Sequence, residues 1–345
     1  MGRPLVISLA GVCVMWMPLC FVFLFASGFI AARFGTLDAE PFTLLLVRSL
    51  LVLPVLGLIL WLRRKPRQWG RRNDRLAQMG IGMLLHGAYL GGVFAAVKAG
   101  LPAGLTALLV SLHPLVTAAL SLPLFGVRLG VRQWAGLGCG AIGVSLVLGA
   151  GLARDGAGTL EWPLIGLVWC LVALIGVSSS TLWQKRVSGR MGLVEGLMFQ
   201  YLGAGAVFVV AATSVGSFAF DPTPRLLLTM AWLVIAISVG AIWLLMLMLE
   251  RGEAHQVART FFLVPPCAAL MAWWLFDEQW TALMVTGAAL VVLGLVLDRP
   301  RPGMASKAPA EDATPSAPSA SMPPGSTASA TSEASATNSG QAASR

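Results

Sequence analysis

The chain is dominated by uninterrupted apolar runs, each about the length that crosses a bilayer. At 1.5 Å rise per residue, a helix needs about 20 apolar residues to span the hydrocarbon core. Ten such runs stand between charged or Pro/Gly breaks, at about 10–32, 41–62, 77–98, 102–123, 131–152, 162–184, 193–215, 226–249, 255–276 and 280–298. A transmembrane barrel would need alternating strands of about ten residues, which the sequence lacks. The runs therefore predict an all-α membrane protein of ten transmembrane helices. Composition agrees, since 57% of the residues are hydrophobic and only 11% charged, against about a quarter charged in a soluble domain. The first run follows Arg3 and exceeds a signal-peptide core, so it reads as a helix.

Charge and cysteine usage exclude two further classes. A net charge of +9 would suit nucleic acid if the basic side chains formed one solvated face, but nearly all lie in short loops between apolar runs. Cys13, Cys20, Cys139, Cys170 and Cys267 are odd in number and fall inside apolar runs without CxxC spacing. They read as small apolar residues, not as a disulfide framework or metal ligands. Loop charges also set orientation. In the ten-helix scheme, 19 Lys and Arg fall on the side of the termini and 4 (Arg33, Lys98, Arg154 and Arg225) on the other, with Arg48 inside a helix. Both termini are thus expected to be cytoplasmic, in a multi-pass inner-membrane protein. Trp61, Trp134, Trp162, Trp273, Trp274 and Trp280 sit at run ends, as interfacial tryptophans do. Residues 299–345 are mainly Ala, Ser, Pro and Thr, too poor in large apolar residues to offset ordering entropy, and are expected to form a disordered cytoplasmic tail.

The apolar part repeats itself. Sliding the chain by 151 residues places Pro114 on Pro265, Gly136 on Gly287 and Gly143 on Gly294; a slip of a residue or two brings Ser27 onto Ser180 and Arg48 near Gln200. Residues 1–153 and 154–298 then hold five helices each. An odd number makes the second half enter from the opposite side, so the repeats are inverted, an architecture of secondary transporters whose solute sits near the midplane.

The stretch from His86 to Gly149, and "VARTFFLVPPCAALMAWWLFDEQWTALMVTGAALVVLGLVL" in the second half, resemble the EamA-type repeat of the drug/metabolite transporter superfamily. In that pattern a helix with a mid-span proline ends in a Gly-Glu-Arg-Leu-Thr-like turn, and a Gly-rich helix closes the repeat. Arg48 in "LLLVRSLL" matches an arginine usual in the family's second helix. The turn glutamate is replaced by Val127 in the first half and survives as Glu278 in the second. The resemblance covers about residues 10–298. It implies a permease with no enzymatic activity and helices 5 and 10 packed peripherally, but it does not name a solute.

Ionisable groups inside the hydrocarbon are costly and point to function. Arg48, His86 and His113 are the ones present. His86 and His113 lie 14 and 13 residues from Gly100, in the tight turn between helices 3 and 4, so both are near mid-membrane, with Tyr89 one turn from His86. They read as a polar belt around a central cavity. For His113 a second reading stands: its ring satisfies a backbone group freed by Pro114. Pro114 and Pro265 read as matched kinks that shape the cavity or act as hinges. Ser27 and Ser180 are interhelical bridges or cavity lining; Trp183 and Trp243 can stack an apolar solute. Arg48 and its counterpart Gln200 read as structural polar residues, Arg48 either snorkelling to the interface, anchoring a helix-end carbonyl or meeting an anionic solute. Glu278 reads as a structural cap at the start of helix 10.

No HExxH, Cys/His cluster, P-loop or intramembrane carboxylate is present, so no cofactor, metal or catalytic residue is expected. The expected function is export of a small organic metabolite or amino-acid-like solute by alternating access. Coupling runs through a protonated histidine or the carrier is facilitative, as a monomer or a homodimer. The alternatives are a lipid-linked carrier flippase and an intramembrane serine hydrolase using one of Ser178–Ser180 with a histidine.

Overall fold

A computed structural model describes residues 9–63, 67–126, 130–154, 163–215, 218–241, 243–244, 247 and 263–297; the expected tail lies outside them. The described residues are helical, with one isolated antiparallel bridge between Ala39 and Phe220. In order they form α1 (Leu9–Asp38), α2 (Pro41–Leu62), α3 (Arg72–Lys98), α4 in two segments (Ala103–Val110 and His113–Phe125), α5 (Val131–Arg154), α6 (Leu164–Val187), α7 (Leu193–Val215), α8 (Pro224–Gly240), α9 (Val264–Phe276) and α10 (Ala282–Leu297). Seven of these are long and apolar enough to cross a membrane, while α8, α9 and α10 are shorter apolar helices. The runs expected at 226–249 and 255–276 continue into residues that are not described. Trp61, Trp134, Trp273 and Trp274 are exposed, as side chains at a lipid interface would be.

Helix starts follow local chemistry. Glu40 accepts from the Thr43 amide at 2.7 Å ahead of Pro41, and Thr223 accepts from the Leu226 amide at 3.1 Å ahead of Pro224. Both pair an N-cap acceptor with a proline that has no N–H to lose. α3 starts five residues before its apolar run, at Arg72, because Asp74 accepts the Arg71 amide at 2.9 Å and a polar turn can then precede the membrane.

Two features interrupt regular α-helix. In α4, Pro114 has no donor and crowds the residue 110 carbonyl, so the first segment ends at Val110 and a second begins at His113. Pro114 therefore breaks the helix instead of kinking it, and Pro265 likewise occupies the first turn of α9. The second feature has no warning in the hydrophobic periodicity: Met83–Leu90 in α3 and Trp232–Gly240 in α8 are wound as π-helix. Such segments are rare and concentrate at functional sites.

Glycine lets backbones meet where helices cross. A Cβ on Gly143 would lie 2.5 Å from the Gly287 carbonyl oxygen, and one on Gly294 would lie 2.6 Å from that of Gly136. The two contacts run in opposite sequence order, so α5 and α10 cross antiparallel. α3 and α7 approach in the same way: a Cβ at Gly82 would run into the Gln200 carbonyl, and one at Gly203 into that of Met79.

This geometry separates two glycines on one helix. Gly143→Ala should lower stability by about 2 kcal/mol through overpacking, seen as a reduced Tm of the detergent-solubilised protein. Gly138→Ala, with nothing within 4 Å of the added carbon, should leave Tm unchanged or raise it.

Candidate functional site: a polar cluster at the paired π-helical segments

Polar side chains of the two π segments meet others from α2 and α7 in the interior. Ser238 of α8 is buried, and its hydroxyl donates to the Leu233 carbonyl at 2.9 Å, five residues back. The same oxygen accepts from Arg48 Nε at 3.3 Å, from an Arg48 Nη at 3.0 Å and from the Tyr201 hydroxyl at 3.1 Å. Arg48, at 4% exposure, does not snorkel; its guanidinium turns inward to α8. His86 of α3 stacks on Tyr201 with ring centroids 4.6 Å apart and planes 18° from parallel. Neither ring nitrogen of His86 has a hydrogen-bond partner among the described residues, although both are closed off from solvent. Arg48 is close enough for its charge to act on both His86 and Tyr89. Gln200 also borders His86, but its amide hydrogens go to Gln78 Oε1 at 2.7 Å and Gln184 Oε1 at 3.2 Å. The cluster thus holds one buried cation, one buried unpartnered imidazole and two phenols.

The remaining expected residues fall elsewhere. The His113 ring interacts with the backbone of Val110, whose carbonyl Pro114 leaves without a helical donor. Its own carbonyl accepts from Ser178 Oγ at 3.2 Å and from Thr117 Oγ1 at 2.6 Å. Ser180 bonds within its own helix to Val177 at 2.8 Å. Neither Ser178 nor Ser180 therefore meets an imidazole nitrogen. Ser27 accepts from the Trp232 indole at 2.9 Å and joins α1 to α8. Trp183 lies over Gly80 of α3, and Trp243 is 62% exposed. Tyr201, Ser238, Gln78 and Trp232 carry no signal in the sequence, save that Gln200 beside Tyr201 matches Arg48 in the repeat.

Glu278 is a cap, but of a different helix from the one expected. Its carboxylate accepts from the Ala103 amide at 2.8 Å and the Gly104 amide at 3.2 Å, at the start of α4. Asp277, at φ 51°, reverses the chain so that the next side chain points back at α4, while Thr281 caps α10 through the Met284 amide at 3.2 Å. Burial raises the Glu278 pKa, against the opposing pull of the two amides and of Arg33.

The two ends of the bundle carry matching polar contacts. At one end, Asp38 closing α1 takes a two-pronged ion pair from Arg225 and a 2.8 Å bond from Thr223, and the Glu40 amide bonds the Ala219 carbonyl at 2.9 Å. At the other, Arg190 lies 3.8 Å from Asp74, and the Gly192 amide bonds the Gln68 carbonyl at 3.1 Å.

A bundle of membrane-crossing helices with its polar groups gathered inside, and polar contacts between helices at both ends, has the build of a membrane transporter. The EamA-like transporter family model matches residues 10–149 and 164–297, and the chain belongs to that family. It is 27% identical over 231 residues to a probable amino-acid metabolite efflux pump of Escherichia coli K12, spanning 64% of this chain and 75% of that one. An uncharacterized inner membrane transporter of the same strain, YedA, is 26% identical over 234 residues, covering 65% and 73%. A solved structure described only as "Crystal structure of protein" superposes with a TM-score of 0.56 at 19% identity, covering 83% of this chain and 96% of its own. The protein is a multi-pass membrane transporter and not an enzyme.

If Ser238 is the node of the cluster, Ser238→Ala should cost about 1–2 kcal/mol, because it strips acceptors from both Arg48 and Tyr201. The check is Tm in detergent, with Ser145→Ala and Thr213→Ala as controls, since both of those hydroxyls are exposed and bond only within their own helices.

Proposed function

We propose that this protein exports a small organic metabolite, of amino-acid type, across the bacterial inner membrane by alternating access. The observation that carries this reading is the buried polar cluster at the two π segments. His86 offers a donor and an acceptor that the described protein groups leave unused, at the depth where inverted-repeat carriers hold their solutes. The name of the 27%-identical efflux pump favours an amino-acid-like solute. His86 and Tyr89 form the centre of the solute site, and Ser27 with Trp232 forms a wall of it. His113, Ser180, Trp183 and Trp243 are secondary lining positions. Pro114 and Pro265 are the hinges.

The halves, residues 1–153 and 154–298, act as inverted five-helix repeats. Their contacts obey a common offset, which supports this. A shift one residue longer than that found in the glycines relates Arg48 to Gln200 and His86 to Ser238. Nearly the same shift exchanges Asp38–Arg225 with Arg190–Asp74, with the charges swapped, and exchanges the Glu40–Ala219 backbone bond with the Gly192–Gln68 bond. Likewise Gly143–Gly287 and Gly136–Gly294 are mates of one another. The two ion pairs are then latches that open in turn as the halves rock. Loop charges orient the Asp38–Arg225 latch outward, with both termini in the cytoplasm.

Metabolite profiling of medium and cells, with the protein overexpressed and deleted, identifies the exported solute. Against that solute, His86→Leu should abolish transport while still inserting, and His86→Gln should retain downhill exchange. Loss of concentrative transport in the Gln variant would mark His86 as the coupling group. Lower stability with unchanged transport per folded molecule would overturn the assignment of His86. For the latches, Asp38→Cys/Arg225→Cys in a cysteine-free background should lock on oxidation and recover on reduction. Asp74→Cys/Arg190→Cys should behave alike, and transport that persists with either disulfide closed would refute alternating access.

A further inference from the structure

Arg48 is a charge that the described scaffold does not account for. Its guanidinium sits inside the Pro41–Leu62 span at 4% exposure, where an unpaired cation is strongly unfavourable. Among the described residues it forms no ion pair. Its hydrogen-bond partner there is one neutral oxygen, Ser238 Oγ, which takes both the Nε and the Nη bonds. Five N–H groups in a fixed fork are therefore offered a single acceptor, where the fork is shaped for the two oxygens of a carboxylate.

The scaffold has no evident need of the charge. At the matched position in the second half stands Gln200, neutral and held by two other amides. Ser238 would remain bonded without Arg48, since it donates to Leu233 and accepts from Tyr201. A purely structural role is thus filled by an amide in one half, while the other half keeps a cation beside an imidazole with both nitrogens unpartnered.

We propose that Arg48 binds the carboxylate of the transported solute, which makes the cargo a small carboxylic acid, with His86 and Tyr89 meeting its second polar group. For an α-amino acid, that group is the ammonium, which a neutral imidazole nitrogen or a phenol face can accept. The assignment rests on the transport reading above and narrows it to acids.

The probes are the standard L-amino acids and their carboxamides, which differ only in the group that Arg48 would hold. Each is tested for a shift in Tm of the purified full-length protein and for counterflow in proteoliposomes. At least one acid should stabilise and be exchanged where its amide does neither. Arg48→Gln should weaken that acid at least tenfold, and Arg48→Lys, which keeps the charge but loses the fork, should bind it weakly and still prefer it to the amide. Equal response of wild type to an acid and its amide overturns the Arg48 assignment and leaves the transporter reading standing, as does an undiminished acid response in Arg48→Gln. If Arg48→Gln fails to fold, the wild-type comparison and Arg48→Lys decide. No response to any probe, by shift or by counterflow, overturns the amino-acid reading and the Arg48 assignment together.

Discussion

Every backbone N–H and C=O inside the hydrocarbon must find a partner within the protein, and the rest of this structure follows from that constraint. It makes the described chain helical and opens places for polar chemistry where the helical ladder changes. Those places are the Pro114 break and the two π segments. At the break, the His113 ring turns to the Val110 backbone and the His113 carbonyl takes the Ser178 hydroxyl. In α8, the Ser238 hydroxyl reaches back to Leu233, and this leaves its oxygen as the acceptor for Arg48 and Tyr201. The candidate site joins these places to polar side chains of the regular helices α2 and α7.

Within lipid, the association of such helices cannot rely on hydrophobic burial, because the tails are as apolar as leucine. Close backbone approach takes its place. α5 and α10 cross on Gly143 and Gly287, while α3 and α7 cross where Gly82 and Gly203 meet the backbones of Gln200 and Met79. The second crossing has a direct consequence for the site. It fixes Gln200 and Tyr201 against α3, which sets Tyr201 in parallel over His86 and occupies the Gln200 amide with Gln78. Packing without side chains thus positions the side chains that matter.

The fold is legible in the sequence because its signals are long. Apolar runs of about 20 residues predict α2 and α7 at the bounds observed, and the repeat in Gly136, Gly143, Gly287 and Gly294 marks the residues on which α5 and α10 cross. The site is only partly legible. His86, Tyr89 and Arg48 stand out because charged or aromatic polar groups are scarce in such runs. Ser238 does not, since a serine in a transmembrane helix is ordinarily bonded within its own turn, and nothing in a 3.6-residue period announces a π segment. Glu278 reads correctly as a cap but of the wrong helix, because sequence neighbourhood suggests α10 while the left-handed turn at Asp277 directs it to α4.

Under the proposed alternating access, two halves that trade places must resemble each other, yet a solute with distinct ends must find distinct groups on either side. The paired positions resolve this conflict by keeping geometry and changing chemistry. Both ion pairs join an aspartate to an arginine at opposite ends, yet one is two-pronged and the other spans 3.8 Å. In the interior the pairing is freer still: Arg48 answers to Gln200 and His86 to Ser238 in the repeat, so a cation in one half stands where the other has a neutral amide, and an imidazole where the other has a hydroxyl. A scaffold alone would be served by amides and hydroxyls in both halves. The asymmetry costs the solvation of a buried guanidinium, a cost that the carboxylate of the proposed solute would offset.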